Sequence, residues 1–259
     1  MPELPEVELY KRYFDSTSLN QEIVDIFIRD ERILKMDPEI FKKKLVGKRF
    51  LSTNRHGKYL FIKFKSGYLV LHFGMSGDLE YFDSSEEEPR FSKIIFQFNN
   101  GYSLAYISIR IFGWADLTED REEYITKKKL GPDAYKMTKQ EYLEAVARRS
   151  GILKNLLLNQ EFIAGVGNVY SDEILFKAKL SPKRKMADLI EEEITALFTQ
   201  IKAVLKYGIK KKGDWSSYPK DSLIPHRKKE NSCPLCGTTL LRIETSGRRG
   251  FYCPKCQKE

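Results

Sequence analysis

The chain has 259 residues, more than one typical domain, and 41% of them are hydrophobic, so there is ample material for a core. Lys and Arg (45) outnumber Asp and Glu (36), giving a net charge of +9 and a pI near 9.2, a balance that favours a polyanionic partner. No apolar run approaches membrane-spanning length, no secretory signal opens the chain, and all four cysteines fall between 233 and 256, so a membrane protein or a disulfide-stapled secreted one is not expected and an intracellular one is.

The opening MPELPEVELY repeats a Pro-Glu pair at Pro2, Glu3 and Pro5, Glu6. Prolines suit a first helical turn and acids its positive end, so these residues can simply start a helix over Val7–Phe14. From Glu22 to Leu117 the pattern is mostly period two. KYLFIKF (58–64) alternates, turns at KSG (65–67) and resumes as YLVLHF (68–73), and KIIFQF (93–98) meets NNG (99–101) before YSLAYISI (102–109). Such β-branched and aromatic runs between turn signals predict two packed antiparallel sheets, interrupted by a loop at the acidic SSEEEP (84–89).

After LGPD (130–133) the spacing becomes helical. KQEYLEAVARR (139–149) and ILKNLLL (152–158) read as helices, and the apolar residues from Leu189 to Leu205 continue along a third, for which Asp188 and Glu191 have capping-box spacing. GVGN (165–168) separates two helical stretches; its glycines permit either close packing or the approach of backbone amides to a phosphate, and Asn168 can cap the next helix or donate to a phosphate oxygen. Residues 177–230 hold 14 Lys/Arg against 7 Asp/Glu, the pattern of a binding face or of a solvated helix with a basic loop. GDWSSYPKDSLIPHRKKENS (213–232) has little periodicity and marks a long loop.

The tail carries CPLC (233–236) and, after sixteen intervening residues, CPKC (253–256). Two thiolate pairs at that spacing can close a tetrahedral zinc site, and so short a tail needs such a staple because it cannot bury a core of its own. Cys233, Cys236, Cys253 and Cys256 are expected to hold one zinc ion, structural because no coordination position stays open. Between the knuckles, TSGRRGFY (245–252) puts Arg248 and Arg249 at or near a hairpin tip, where they either fork onto phosphate or are only solvated.

MPELPEVE, HGKYL (56–60), HFGMSG (72–77), RIFG (110–113), LGPD, NQEFIAGVGNVYSDEILFKAKLSP (159–182) and the terminal RRGFYCPKCQ occur in the order found in the formamidopyrimidine-DNA glycosylase and endonuclease VIII family. The resemblance spans nearly the whole chain and is closer to the formamidopyrimidine branch, whose lysine turn and zinc finger the chain shares. It implies an α+β multidomain fold: an N-terminal catalytic antiparallel β-sandwich with an N-terminal helix (1–129), a helical domain with a helix-two-turn-helix DNA-binding element and a lesion-capping loop (130–232), and a four-cysteine zinc-finger β-hairpin (233–259), with DNA crossing between domains. It also implies a monomeric, bifunctional base-excision enzyme acting on double-stranded DNA that contains oxidised bases, of the formamidopyrimidine or 8-oxoguanine type, or abasic sites.

Residue by residue, the resemblance makes Pro2 the nucleophile that forms a Schiff base once Met1 is removed, Glu3 the proton shuttle, Lys58 the lysine at the lesion and its phosphate, and Arg248 the finger arginine of β,δ-elimination, with Arg249 as its substitute. Glu6 matches a second acid near the site or a helix-capping residue. Met75, Arg110 and Phe112 match the side chains that fill the space left by a flipped base, and Lys154 and Asn168 match phosphate contacts. Two departures bear on base preference. SIRIFG (108–113) stands where the branch usually has DPRRFG, and IPHR (224–227) where it has VYGR. An enzyme for oxidised pyrimidines, like endonuclease VIII, is therefore a rival within the class, and a noncatalytic zinc-finger DNA-binding protein a rival outside it.

Overall fold

The computed structural model describes residues 2–228, 230–245 and 247–258, and the chain divides into two compact units. One comprises Pro2 and Glu6–Lys128, the other Glu3–Pro5 and the chain from Lys129 onward.

In the first unit, helix α1 (Leu4–Thr17, of which residues from Glu6 belong here) is followed by β1 (Ile23–Ile28), α2 (Pro38–Leu45) and the strands β2 (Ser52–His56), β3 (Tyr59–Phe64), β4 (Gly67–His72), β5 (Gly77–Asp83), β6 (Ser92–Phe98), β7 (Tyr102–Ser108) and β8 (Trp114–Thr118), then by α3 (Arg121–Lys127). The strands form two antiparallel four-stranded sheets, ordered β1-β6-β7-β5 and β2-β3-β4-β8. Their shared core buries Ile26, Phe50, Leu60, Ile62, Leu71, Phe96 and Leu104, closed by Val7 and Phe14 of α1 and Phe41 of α2. Strand β3 is apolar beyond strict alternation. Phe61 points away from that core and meets the Tyr124 ring of α3 at 5.8 Å, so both sheet faces are covered there and the sequence reads as a nearly continuous apolar run.

In the second unit α4 (Lys139–Ala147), α5 (Leu153–Leu158), α6 (Asn168–Lys177) and α7 (Glu191–Lys210) pack around Leu157, Tyr170, Ile174, Leu197, Ile201 and Leu205, with Leu4 seated in the same core. The capping box expected at Asp188 and Glu191 is not formed. Asp188 lies in a separate 3-10 turn, and the acid that reaches back is Glu193, accepting from the Ile190 N–H at 3.2 Å. Strands β9 (Leu241–Thr245) and β10 (Arg248–Tyr252) make the terminal hairpin, whose cysteines share a small core with Phe176 and Leu223.

Candidate active site

Pro2 is half-buried just ahead of α1. Glu3 does not serve the helix it precedes. Its carboxylate accepts from the backbone N–H groups of Gly167 (2.6 Å), Val169 (2.8 Å) and Tyr170 (3.4 Å), and the residue is 1% exposed. α6 has no side-chain cap of its own, so an acid from the chain's opening takes that place at the positive end of its dipole. GVGN accordingly takes the packing role: a Cβ on Gly167 would collide with the Glu3 carboxyl, and one on Gly165 with the Leu4 side chain. Asn168 is the first residue of α6 and not its cap. Its Nδ2 donates to the Arg249 carbonyl (2.8 Å), while its Oδ1 has no partner among the described residues.

Lys58 occupies the second position of the two-residue turn between β2 and β3, and 7% of it is exposed. Fully buried Arg55 props the turn, donating to the Gly57 carbonyl (3.0 Å) and pairing with Glu8 of α1 (3.0 Å). Burial, and then the charges of Lys58 and Lys128, push the pKa of His72 down to about 4, so its ring is neutral at pH 7. That ring stacks on Trp114 at 5.3 Å and accepts at Nδ1 from the Gly74 N–H (3.3 Å). Glu6 is in the first turn of α1. Its charge adds to burial and to Asp78 in raising the pKa of Tyr10.

Met75, Arg110 and Phe112 sit on two loops that meet where Gly77 of β5 pairs with Ser108 of β7; the Arg110 N–H donates to Ser76 Oγ (3.2 Å). Met75 is 45% and Phe112 59% exposed, although their apolar type alone would assign them to the core. Sequence reasoning passed over Phe91 (46%) and Ile109 (58%), exposed on adjoining segments, since the Ser108 N–H donates to the Phe91 carbonyl (3.2 Å). Their residue types carry no signal of exposure.

Lys154 departs from the expected phosphate contact. It is fully buried, and its ammonium donates to the Asn168 carbonyl (3.0 Å), to Ser171 Oγ (2.7 Å) and to Asp172, which uses all three hydrogens. Burial draws its pKa down against the upward pull of Asp172. So enclosed, it belongs to an internal ion pair and not to a phosphate-facing surface. Arg248 and Arg249 open β10 and are exposed.

The four cysteine sulfurs lie within 4.8 Å of one another, with Cys233 and Cys256 at 3.8 Å and Cys236 and Cys253 at 3.5 Å. Zn–S bonds of about 2.3 Å at tetrahedral angles require sulfurs about 3.8 Å apart, so the cage fits one structural zinc ion. No helix among the described residues is long and apolar enough to cross a membrane.

Residues 1–115 match the formamidopyrimidine-DNA glycosylase N-terminal domain, 130–219 the formamidopyrimidine-DNA glycosylase H2TH domain, and 232–258 the zinc finger found in FPG and IleRS. The formamidopyrimidine-DNA glycosylase of Streptococcus mutans is 31% identical over 273 aligned residues that cover all of both chains. That of Streptococcus pyogenes serotype M3 is 34% identical, covering all of this chain and 99% of the relative. Among solved structures, MutM in complex with carbocyclic 8-oxo-G containing DNA has a TM-score of 0.90 at 28% identity, with 100% of each chain covered. Lactococcus lactis Fpg in complex with abasic-site DNA gives 0.88 at 29% identity, covering 99% of this chain and 100% of that one. With matching domains along most of its length and end-to-end relatives above 30% identity, the chain belongs to the formamidopyrimidine-DNA glycosylase family.

Proposed function

We propose that the chain is a bifunctional DNA glycosylase and abasic-site lyase that excises oxidised bases from duplex DNA inside the cell. The observation that carries this reading is Glu3, a buried carboxylate fixed by backbone N–H groups and joined directly to Pro2. A helix start alone has no use for that arrangement. With Met1 removed, Pro2 is a secondary amine, and α-amino groups titrate near pH 8, so a useful fraction is uncharged at neutrality.

Its lone pair attacks C1′ of the damaged nucleotide. The C1′–N bond to the base breaks with its electron pair leaving on the base, which takes up a proton. Pro2 then gives up its N–H proton and the C1′–O4′ bond breaks, its pair going to O4′, which is protonated, leaving a Schiff base in its iminium form on Pro2. Glu3 exchanges protons at the sugar. β-Elimination then removes a C2′ proton and breaks the C3′–O bond, the pair leaving with the 3′ phosphate. δ-Elimination removes the C4′ proton and breaks the C5′–O bond, the pair leaving with the 5′ phosphate. Lys58 serves at the lesion and its phosphate, with Glu6 as an accessory acid, and Arg248, or Arg249 in its place, stabilises the phosphates that leave. Exposed Met75, Arg110 and Phe112 fill the space vacated by the flipped base, which the loop 213–232 covers. Asn168 adds a phosphate contact, and the zinc holds the hairpin that carries the arginines.

A cleavage panel on duplexes with single defined lesions tests the reading. Formamidopyrimidine and 8-oxoguanine are expected to be processed faster than oxidised pyrimidines. The reverse order would favour an activity like that of endonuclease VIII, and no cleavage of any lesion or abasic duplex would leave only the noncatalytic reading.

A further inference from the structure

We infer that Asp172 is a positioning residue for δ-elimination, acting through the backbone of the zinc hairpin. It stands on α6 and is 2% exposed, and its carboxylate gathers three partners. One oxygen pairs with the buried Lys154 ammonium. The other accepts from Arg227 Nε (2.9 Å), whose Nη2 lies at ion-pair distance (2.8 Å), and from the backbone N–H of Phe251 (3.1 Å).

That last contact reaches into β10 three residues after Arg248. Phe251 faces Arg242 across the hairpin, and its N–H goes to Asp172 and not to β9. Two residues earlier the Arg249 carbonyl accepts from Asn168 Nδ2 (2.8 Å). Between them, a Cβ on Gly250 would come within 2.7 Å of Asp172 Oδ1 and 3.2 Å of Lys154 Cε, so β10 lies flush against the ion pair. Arg248 and Arg249 are thus held by their own strand's backbone. Their guanidinium groups stay exposed, and the Asp172 network sets where that strand runs. Lys154, too enclosed to meet phosphate, donates to the Asp172 carboxylate and holds it in place.

This inference rests on the glycosylase and lyase reading, and the two are separable because they concern different steps. Imine formation needs Pro2 and Glu3. Breaking the C3′–O and C5′–O bonds needs a guanidinium at the departing phosphate oxygens; a misplaced donor slows both eliminations but not imine formation, and the δ product, which requires both in succession, falls furthest.

The experiment compares the wild-type holoprotein with Asp172→Ala and Phe251→Pro on one duplex containing an abasic site, measuring borohydride-trapped adduct and the ratio of δ- to β-elimination products. Phe251→Pro removes the single N–H that Asp172 accepts, at an edge position facing away from β9, and leaves the ion pair whole, so it carries the test if Asp172→Ala does not fold. Both variants are expected to trap like the wild type while the δ-to-β ratio falls about tenfold. A Phe251→Pro ratio equal to wild type, or trapping and ratio lost in equal measure, would overturn the inference. A wild-type protein that forms no adduct would overturn it together with the reading on which it rests.

Discussion

The lysine inside ILKNLLL matches, by the family resemblance, a phosphate contact, and lysine is rarely buried unless paired. What turns Lys154 inward is Asp172, and no local spacing announces that partnership. Glu3 is illegible for the same reason. The N–H groups it caps belong to residues more than 160 positions away, so its own neighbours suggested a helix start and the proton shuttle came only with the family resemblance. Met75 and Phe112 are exposed because of how two loops meet, which their residue types cannot encode.

Glu173, beside Asp172, gives a prediction on this scale. It is 2% exposed; one oxygen accepts from the Ile224 N–H (2.8 Å) and Oε1 has no partner among the described residues. Burial raises its pKa from 4.5 to about 7. The folded state therefore binds the proton more tightly than the unfolded state, and the group's contribution is full below 4.5 and lost as pH rises through 7. Glu173→Gln keeps an oxygen for Ile224 and never ionises. It is expected to raise unfolding free energy at pH 8 by up to about 3 kcal/mol and to change little at pH 4. Denaturant titrations at both pH values check this; identical stabilities at pH 8 would refute it.

At the scale of elements, strands were the most legible part. KIIFQF and YSLAYISI became β6 and β7 because β-branched and aromatic runs broken by NNG have few other ways to satisfy their backbone. Helix ends were less so: α7 starts at Glu191, with Glu193 and not Glu191 as the reaching acid, since Asp188 is drawn into a 3-10 turn. The hairpin was readable from cysteine spacing alone. Its core of Phe176, Leu223, Cys233, Leu240 and Cys253 is too small to hold two short strands without a metal. Metal analysis should find one zinc per chain. Cys253→Ser should expose the hairpin to protease and weaken DNA binding, whereas full activity in zinc-free protein would contradict the assignment.

Across the whole molecule, the excess of positive charge is only partly a surface property. Lys177 pairs with Asp221 (3.0 Å), Arg184 with Glu193 (2.6 Å) and Arg227 with Asp172 (2.8 Å), while Lys202 donates to the Met137 carbonyl (2.8 Å). Composition therefore overstates the cations of 177–230 that are free for a polyanion. The order of motifs along the chain was the more telling whole-molecule signal, because it ties MPELPEVE to the GVGN turn and the RRGFY hairpin, and the Glu3–Gly167 and Asn168–Arg249 hydrogen bonds join those three segments.

The central claim is that the chemistry begins at the Pro2 nitrogen, and borohydride trapping on an abasic duplex tests it most directly. Protein lacking Met1 is expected to become covalently joined to DNA, with the adduct in a peptide that begins at Pro2. Protein carrying an N-terminal extension, in which that nitrogen stays an amide, is expected to give no adduct while keeping its zinc and its affinity for undamaged DNA. Equal trapping by the extended protein, or an adduct that maps to an internal lysine, would contradict the account.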